Sequence, residues 1–171
     1  INNNNKTIVA IGKEKRDSIL TLEKFREIFT RGIHAITELI TYINFNENYP
    51  QNHNCCITNL RSSHGISFKN GSWDAVDMTE LIQDLIDFNG EYLEFTYNGI
   101  KSILTDKAKQ QFQRYLDEKM KNKDKLNEQY HEEIKLILYH NNEIILETKK
   151  QYEANKKAMK NVTTDKIENK K

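Results

Sequence analysis

The chain has one proline, six glycines and two cysteines in 171 residues, and no apolar run of membrane-spanning length. Each shortage closes off a class of protein. The two cysteines, Cys55 and Cys56, are neighbours, and neighbouring cysteines make neither a disulfide framework nor a zinc finger. A bilayer span takes about 20 consecutive apolar residues. Neither that nor a signal peptide is present, so a soluble, intracellular protein with no membrane partner is expected. The glycines form no phosphate-binding loop, and no Ser-His-Asp set or paired carboxylates stand at catalytic spacing. Nothing implies a cofactor.

Net charge is also scarce, at +1 overall, but it is unevenly placed. From Lys149 to Lys171 eight lysines face Glu153, Asp165 and Glu168, a balance of +5, which leaves residues 1–148 at −4. A duplex-binding domain concentrates positive charge on its folded part. The core is therefore not expected to bind nucleic acid strongly, and the tail is expected to bind it weakly at most. The first residue is Ile1 rather than Met, as in a fragment of a longer protein.

What the chain has in plenty is asparagine, 20 residues of it, and five fall in the eleven positions from Asn44 to Asn54, around the sole proline, Pro50. Amides so dense beside apolar segments either lock a loop, since each can satisfy several backbone groups, or meet a partner. Around this loop the pattern gives one α+β domain over residues 7–148, preceded by an Asn-rich linker end at 1–6 and followed by a basic helical or frayed tail at 149–171.

Thr7 to Ile11 is β-prone and predicts a short N-terminal strand. Thr21 suits a helix cap, Leu22, Phe25, Ile28 and Phe29 share a face, and Gly32 suits a stop. Ile33, Ile36, Leu39, Ile40 and Ile43 predict a second helix, so the two make a helix pair. Cys55 to Leu60 predicts a strand. Ile66 and Phe68 alternate before Asn70-Gly71, with Trp73 beyond, a strong signal for a central β-hairpin. Asp77 or Thr79 starts a helix with Leu81, Ile82, Leu85 and Ile86 inside. Glu91 to Tyr97 is apolar and aromatic and is closed by Asn98-Gly99. Thr105 starts another helix.

Last, Leu126, Tyr130, Ile134, Ile137, Asn141, Ile144 or Ile145, Thr148 and Tyr152 step by threes and fours through one long amphipathic helix. Two readings fit it. Tyr130, Ile134, Ile137, Asn141 and Ile144 form an oligomer seam in which Asn141 sets register, or the helix packs back on its own domain.

Several of these runs resemble one family: Ile8 to Glu14, Asn44-Phe45-Asn46, Pro50 to Asn54, Asn59-Leu60-Arg61, Gly71-Ser72-Trp73 and Glu133 to Tyr139. The resemblance, over about residues 7–148, is to the C-terminal domain of zinc-finger and coiled-coil proteins of nucleocytoplasmic large DNA viruses, the mimivirus-like ones especially. That family usually has His-Phe-Asn where this chain has Asn44-Phe45-Asn46. The resemblance implies a viral protein in the host-cell cytoplasm (the viral factory) or the virion. It also implies upstream domains that link the protein to DNA, and a partner that is itself or another viral protein.

Against that frame stand the candidate sites. Asn44, Asn46, His53, Asn54 and Trp73 are expected as a loop lock or partner surface. Arg16, Arg26, Arg31 and Arg61 are candidate phosphate contacts if the helix pair and hairpin act as a winged DNA-binding module. Trp73 and Phe45 are candidate base-stacking groups, although a core anchor is the plainer role for Trp73. A His-Asn-His-type metal nuclease would need His53 with His64, but His64 falls at the hairpin and no acidic cluster accompanies the pair. Of the cysteines, one is expected in the core and one half-exposed. The preferred function is a non-catalytic interaction or oligomerisation domain with an accessory DNA-linked role. Direct DNA binding and nuclease activity follow in that order.

Overall fold

The structure, a computed structural model, describes residues 7–168. The expected linker end at 1–6 and the last three residues of the basic tail lie outside the described residues. In chain order the elements are α1 (Leu22–Thr30), α2 (Ala35–Asn44), β1 (Cys55–Cys56), β2 (His64–Lys69), β3 (Ser72–Asp77), α3 (Met78–Ile100), α4 (Asp106–Lys121), α5 (Lys123–His140) and α6 (Asn142–Glu168). The strands form one antiparallel sheet in the order β1-β2-β3. The fold is α+β, as the sequence pattern predicts.

Local chemistry sets most of the boundaries. Thr21 Oγ1 accepts from the Lys24 amide at 3.2 Å and Thr105 Oγ1 from the Ala108 amide at 3.2 Å. Asp77 Oδ1 takes both the Thr79 and Glu80 amides, at 2.8 and 3.0 Å. Each such cap contributes about 1 kcal/mol by satisfying amides that have no partner inside the helix. Beyond α1, Gly32 has φ +58°, and a Cβ there would lie 3.0 Å from the Gln111 carbonyl oxygen. Both the left-handed backbone and the close approach of α4 call for glycine. Asn70 and Gly71 have φ +52° and +80°, the two positive values of a tight hairpin turn, and β2 pairs with β3 from His64↔Asp77 to Lys69↔Ser72.

Helix α2 is the axis of the molecule. Ala35, Ile36, Thr37, Leu39, Ile40, Ile43 and Asn44 are all buried, with α1, α3 and α5 packed round them. Phe29, Tyr97 and Phe112 join α1, α3 and α4, with ring centroids 4.7 to 5.5 Å apart. The sheet lies at one end, against α3, α5 and α6.

The elements depart from the sequence expectations in four places. Residues 7–11 form no strand: the Val9 amide donates to the Gln51 carbonyl at 2.9 Å, but the facing residues Pro50–Asn52 are a 3-10 turn, so no ladder can grow. The strand expected from Cys55 to Leu60 stops at Cys56, because the Ile57 amide turns to the Leu138 carbonyl at 3.3 Å. Glu91 to Tyr97 is the continuation of α3, and Asn98-Gly99 does not interrupt it; buried Leu93 and Tyr97 keep the helix on the core as far as Ile100.

The long final helix is two helices. Asn141 ends α5 with φ −104°, its Nδ2 donating to the Ile137 carbonyl at 2.8 Å, and Asn142 Nδ2 donates to the Ile57 carbonyl at 3.1 Å. The face expected as an oligomer seam is taken up by this chain itself: Tyr130 and Ile134 are buried in the core with Leu126, Leu138 and Ile145. Ile137, Asn141 and Ile144 are half-buried beside it.

Candidate functional site

The asparagine loop folds back under the C-terminal end of α2, and the N-terminal segment 8–20 crosses it as a strap. Glu14, on that strap, is the hub. Its Oε2 accepts from the Gly12 amide at 2.9 Å and meets Arg16 at 3.1 Å. Its Oε1 accepts from Asn54 Nδ2 at 2.8 Å and Asn44 Nδ2 at 3.3 Å. Asn44 Nδ2 also lies 3.1 Å from Asn54 Oδ1, and Asn54 Nδ2 donates to the Val9 carbonyl at 3.1 Å. The Asn54 carbonyl accepts the Phe68 amide at 2.7 Å, which ties the cluster to β2. Arg16 reaches Asn89 Oδ1 on α3 at 3.4 Å and lies over the Tyr92 ring.

His53 carries the clasp to the last helix. Its Nε2 faces the Asn46 carbonyl at 3.0 Å and its Nδ1 the Thr148 hydroxyl at 2.7 Å. A carbonyl only accepts, so Nε2 holds the proton and Nδ1 accepts from Thr148. Burial pushes the imidazole below its usual pKa, partly offset by the Asn46 carbonyl and by Glu47. Asn46 Oδ1 accepts the Asn48 amide at 3.0 Å and shapes the loop tip.

Enclosure decides what this cluster can do. The Glu14 and Arg16 side chains are 1% and 8% exposed, and His53 and Asn54 are buried as deeply. The cluster joins strap, loop, sheet, α2, α3 and α6, and presents no catalytic surface. Asn44 Oδ1, Asn52 Nδ2 and Arg16 Nε are buried without a protein partner among the described residues. Each such atom costs about 1–3 kcal/mol, so the cluster stabilises less than its bond count suggests.

Of the residues marked from the sequence, Asn44, Asn46, His53 and Asn54 are brought together here. Trp73 is not among them: it is half-buried on β3, edge-on to Phe68 with centroids 5.5 Å apart. Phe45 is buried and has no face for a base. Both thiols are fully buried, contrary to the expected half-exposed one, because both faces of β1 are covered. Burial raises Cys55 well above the usual thiol range and Cys56 to about 11, the latter tempered by Lys149. Glu14 is not among the residues expected from the sequence, because no spacing distinguishes a buried hub from a surface glutamate.

Arg26 and Arg31 line one open cleft with Glu23, Glu27 and Lys107, but Arg16 and Arg61 are not part of it. Arg16 is internal. Arg26 donates to the Ile103 carbonyl at 3.2 Å, just past the C-terminal end of α3. Arg61 is exposed on the loop whose Ser63 carbonyl takes the Met78 amide at 2.8 Å, at the opposite end of that helix. Twenty-three residues of helix span about 34 Å. Arg31 lies 3.9 Å from Glu38. As for a groove-reading helix, α2 is enclosed by its neighbours.

His53 and His64 lie apart: Asn54, next to His53, bonds to Phe68 near the far end of β2, four residues or about 13 Å of strand from His64. Among the described residues no three His, Cys, Asp or Glu side chains are grouped to hold a metal. A cleft of about 490 Å³ lies among α2, α3, α4 and α5, floored by Ile36, Tyr115 and Tyr130 and rimmed by Asp87, Glu91, Lys119 and Lys123. Lys119 is paired with Glu94, which also accepts the Tyr115 hydroxyl at 2.9 Å. No loop residue reaches this cleft.

Fold and clasp together define a small α+β domain whose polar centre holds its own segments in place. Comparisons with protein-family models, with curated proteins and with solved structures found no match to this chain.

Proposed function

We propose that this chain is a non-catalytic interaction module that associates with copies of itself or with another protein, its DNA-linked role coming from other domains of a longer viral protein. The observation that carries this reading is a division between inside and outside. The loop residues Asn44, His53 and Asn54 are closed within the clasp, while apolar side chains such as Phe95, 81% exposed on α3, face solvent. The viral setting, in the host-cell cytoplasm or the virion, rests on the runs from Ile8 to Glu14, Asn44 to Asn54 and Gly71 to Trp73 that resemble the large-DNA-virus domain.

One feature favours weak DNA binding as a second reading: between Lys149 and Asn161, α6 has five lysines and one acid, Glu153. The scatter of Arg16, Arg26, Arg31 and Arg61 counts against a winged module, and the separation of His53 from His64 counts against a metal-dependent nuclease.

Light scattering of residues 1–171, alone and with a mixed-sequence duplex at low and moderate salt, tests the reading. Self-association that rises with protein concentration and ignores the duplex is expected. A monomer that gains mass only on the duplex, and loses it with salt, would put DNA binding in its place.

A further inference from the structure

We infer that the outer face of α3 is a docking surface for α6 of a second copy of this chain. This deepens the self-association half of the function proposed above and rests on it. Helix α3 carries Glu80, Asp84, Asp87, Glu91 and Glu94 and no lysine or arginine. Its solvent side repeats at helical spacing: Asp84, Phe88, Glu91 and Phe95 step by four, three and four, and all four are exposed. Phe88 is 43% and Phe95 81% exposed. Phe88 rests one side of its ring on Gly12 of the strap, but Phe95 is left in water in an acidic helix and marks a contact surface, because burying it would remove apolar area from solvent.

The complementary surface is in the same chain. On α6, Ile145 faces inward, Tyr152 packs edge-on to Phe68 at 5.3 Å, and the opposite side is exposed at Leu146, Lys150, Ala154 and Lys157. Neither Asp84, Glu91, Lys150 nor Lys157 takes part in an ion pair among the described residues. Lys150 and Lys157 are seven residues apart, as are Asp84 and Glu91, two helical turns or about 10.5 Å in each case.

Laid antiparallel, the two helices bring Asp84 to Lys157 and Glu91 to Lys150 at once. The same register sets Phe95 against Leu146 and brings Phe88 within one residue, about 1.5 Å of rise, of the small Ala154. A parallel arrangement would satisfy the charges equally, but it would set Phe95 beside Asn161 and leave Leu146 uncovered. Both arrangements pair the charges and bring Phe88 to Ala154, and the antiparallel one alone also covers Phe95, the more exposed ring, with Leu146.

Sedimentation equilibrium of the full chain tests this with Phe95→Ser, Glu91→Lys, Lys150→Glu and the double Glu91→Lys/Lys150→Glu. All three sites are exposed, and thermal melts matching the parent chain establish that each variant folds. Phe95→Ser is expected to weaken association most. Each single charge reversal is expected to weaken it by about fivefold or more, since attraction becomes repulsion. The double variant, and an equimolar mixture of the two singles, should recover most of the loss. Failure to recover would overturn the pairing. If the parent chain associates and Phe95→Ser associates equally well, this surface is wrong while the interaction reading stands. A parent chain that stays monomeric at every concentration would overturn this surface and the self-association half of the reading, and leave association with another protein standing.

Discussion

At the scale of single residues, Glu14 matters most to the fold. Its carboxylate accepts from Gly12, Asn44 and Asn54 and meets Arg16, and neither charged side chain reaches water freely. Removing one member of such a pair leaves the other charge enclosed and uncompensated. Glu14→Ala should therefore lower unfolding stability by about 3–5 kcal/mol, read from urea denaturation, with Glu14→Gln losing less because an amide oxygen still accepts. His53 acts through protonation. Its pKa in the fold is lowered, so the unfolded chain binds the extra proton. Its contribution is intact above the unfolded value near 6.5 and is lost as pH falls through the lowered folded value. Urea midpoints taken from about pH 8 down to 5 should fall across that window, and His53→Gln should flatten the slope. That the loop asparagines act together was legible from their density around Pro50. That a glutamate 30 residues earlier is their hub was not, because a contact between Glu14 and Asn44 leaves no local pattern.

Among the elements, the last helix differs most from its sequence pattern. Spacing by threes and fours runs unbroken from Leu126 to Tyr152, so periodicity alone gives one long helix and leaves the tail helical or frayed. The chain instead closes α5 at Asn141 and continues helical to Glu168, with contacts to the rest of the domain at Thr148, Tyr152 and Lys156. Tyr152 lies against Phe68, which lies against Trp73, so the hairpin depends on α6 for its cover. Tyr152→Ala should lower stability by about 1–2 kcal/mol, a half-buried aromatic contact rather than a full core loss. An unchanged melting temperature for that variant would mean that α6 beyond Thr148 contributes nothing to the domain. The caps at Thr21, Asp77 and Thr105 and the Asn70-Gly71 turn were legible because each is a local device whose partner lies within three residues.

For the whole molecule, composition and pattern determined that this is one α+β domain with a helix pair, a hairpin and an amphipathic C-terminal region, and that the acidic and basic charge lie apart. These follow from periodicity, turn chemistry and counting, which need only near neighbours along the chain. Tertiary structure alone decided which faces are inside. It enclosed Arg16 and both thiols, closed the face of Tyr130 and Ile134 against α2, and left Phe95, Lys150 and Lys157 outside. A stripe of apolar residues reads the same in the sequence whether it meets its own domain or another copy. The difference lies in which surfaces the remaining helices cover, and that is settled by contacts between residues far apart in the chain.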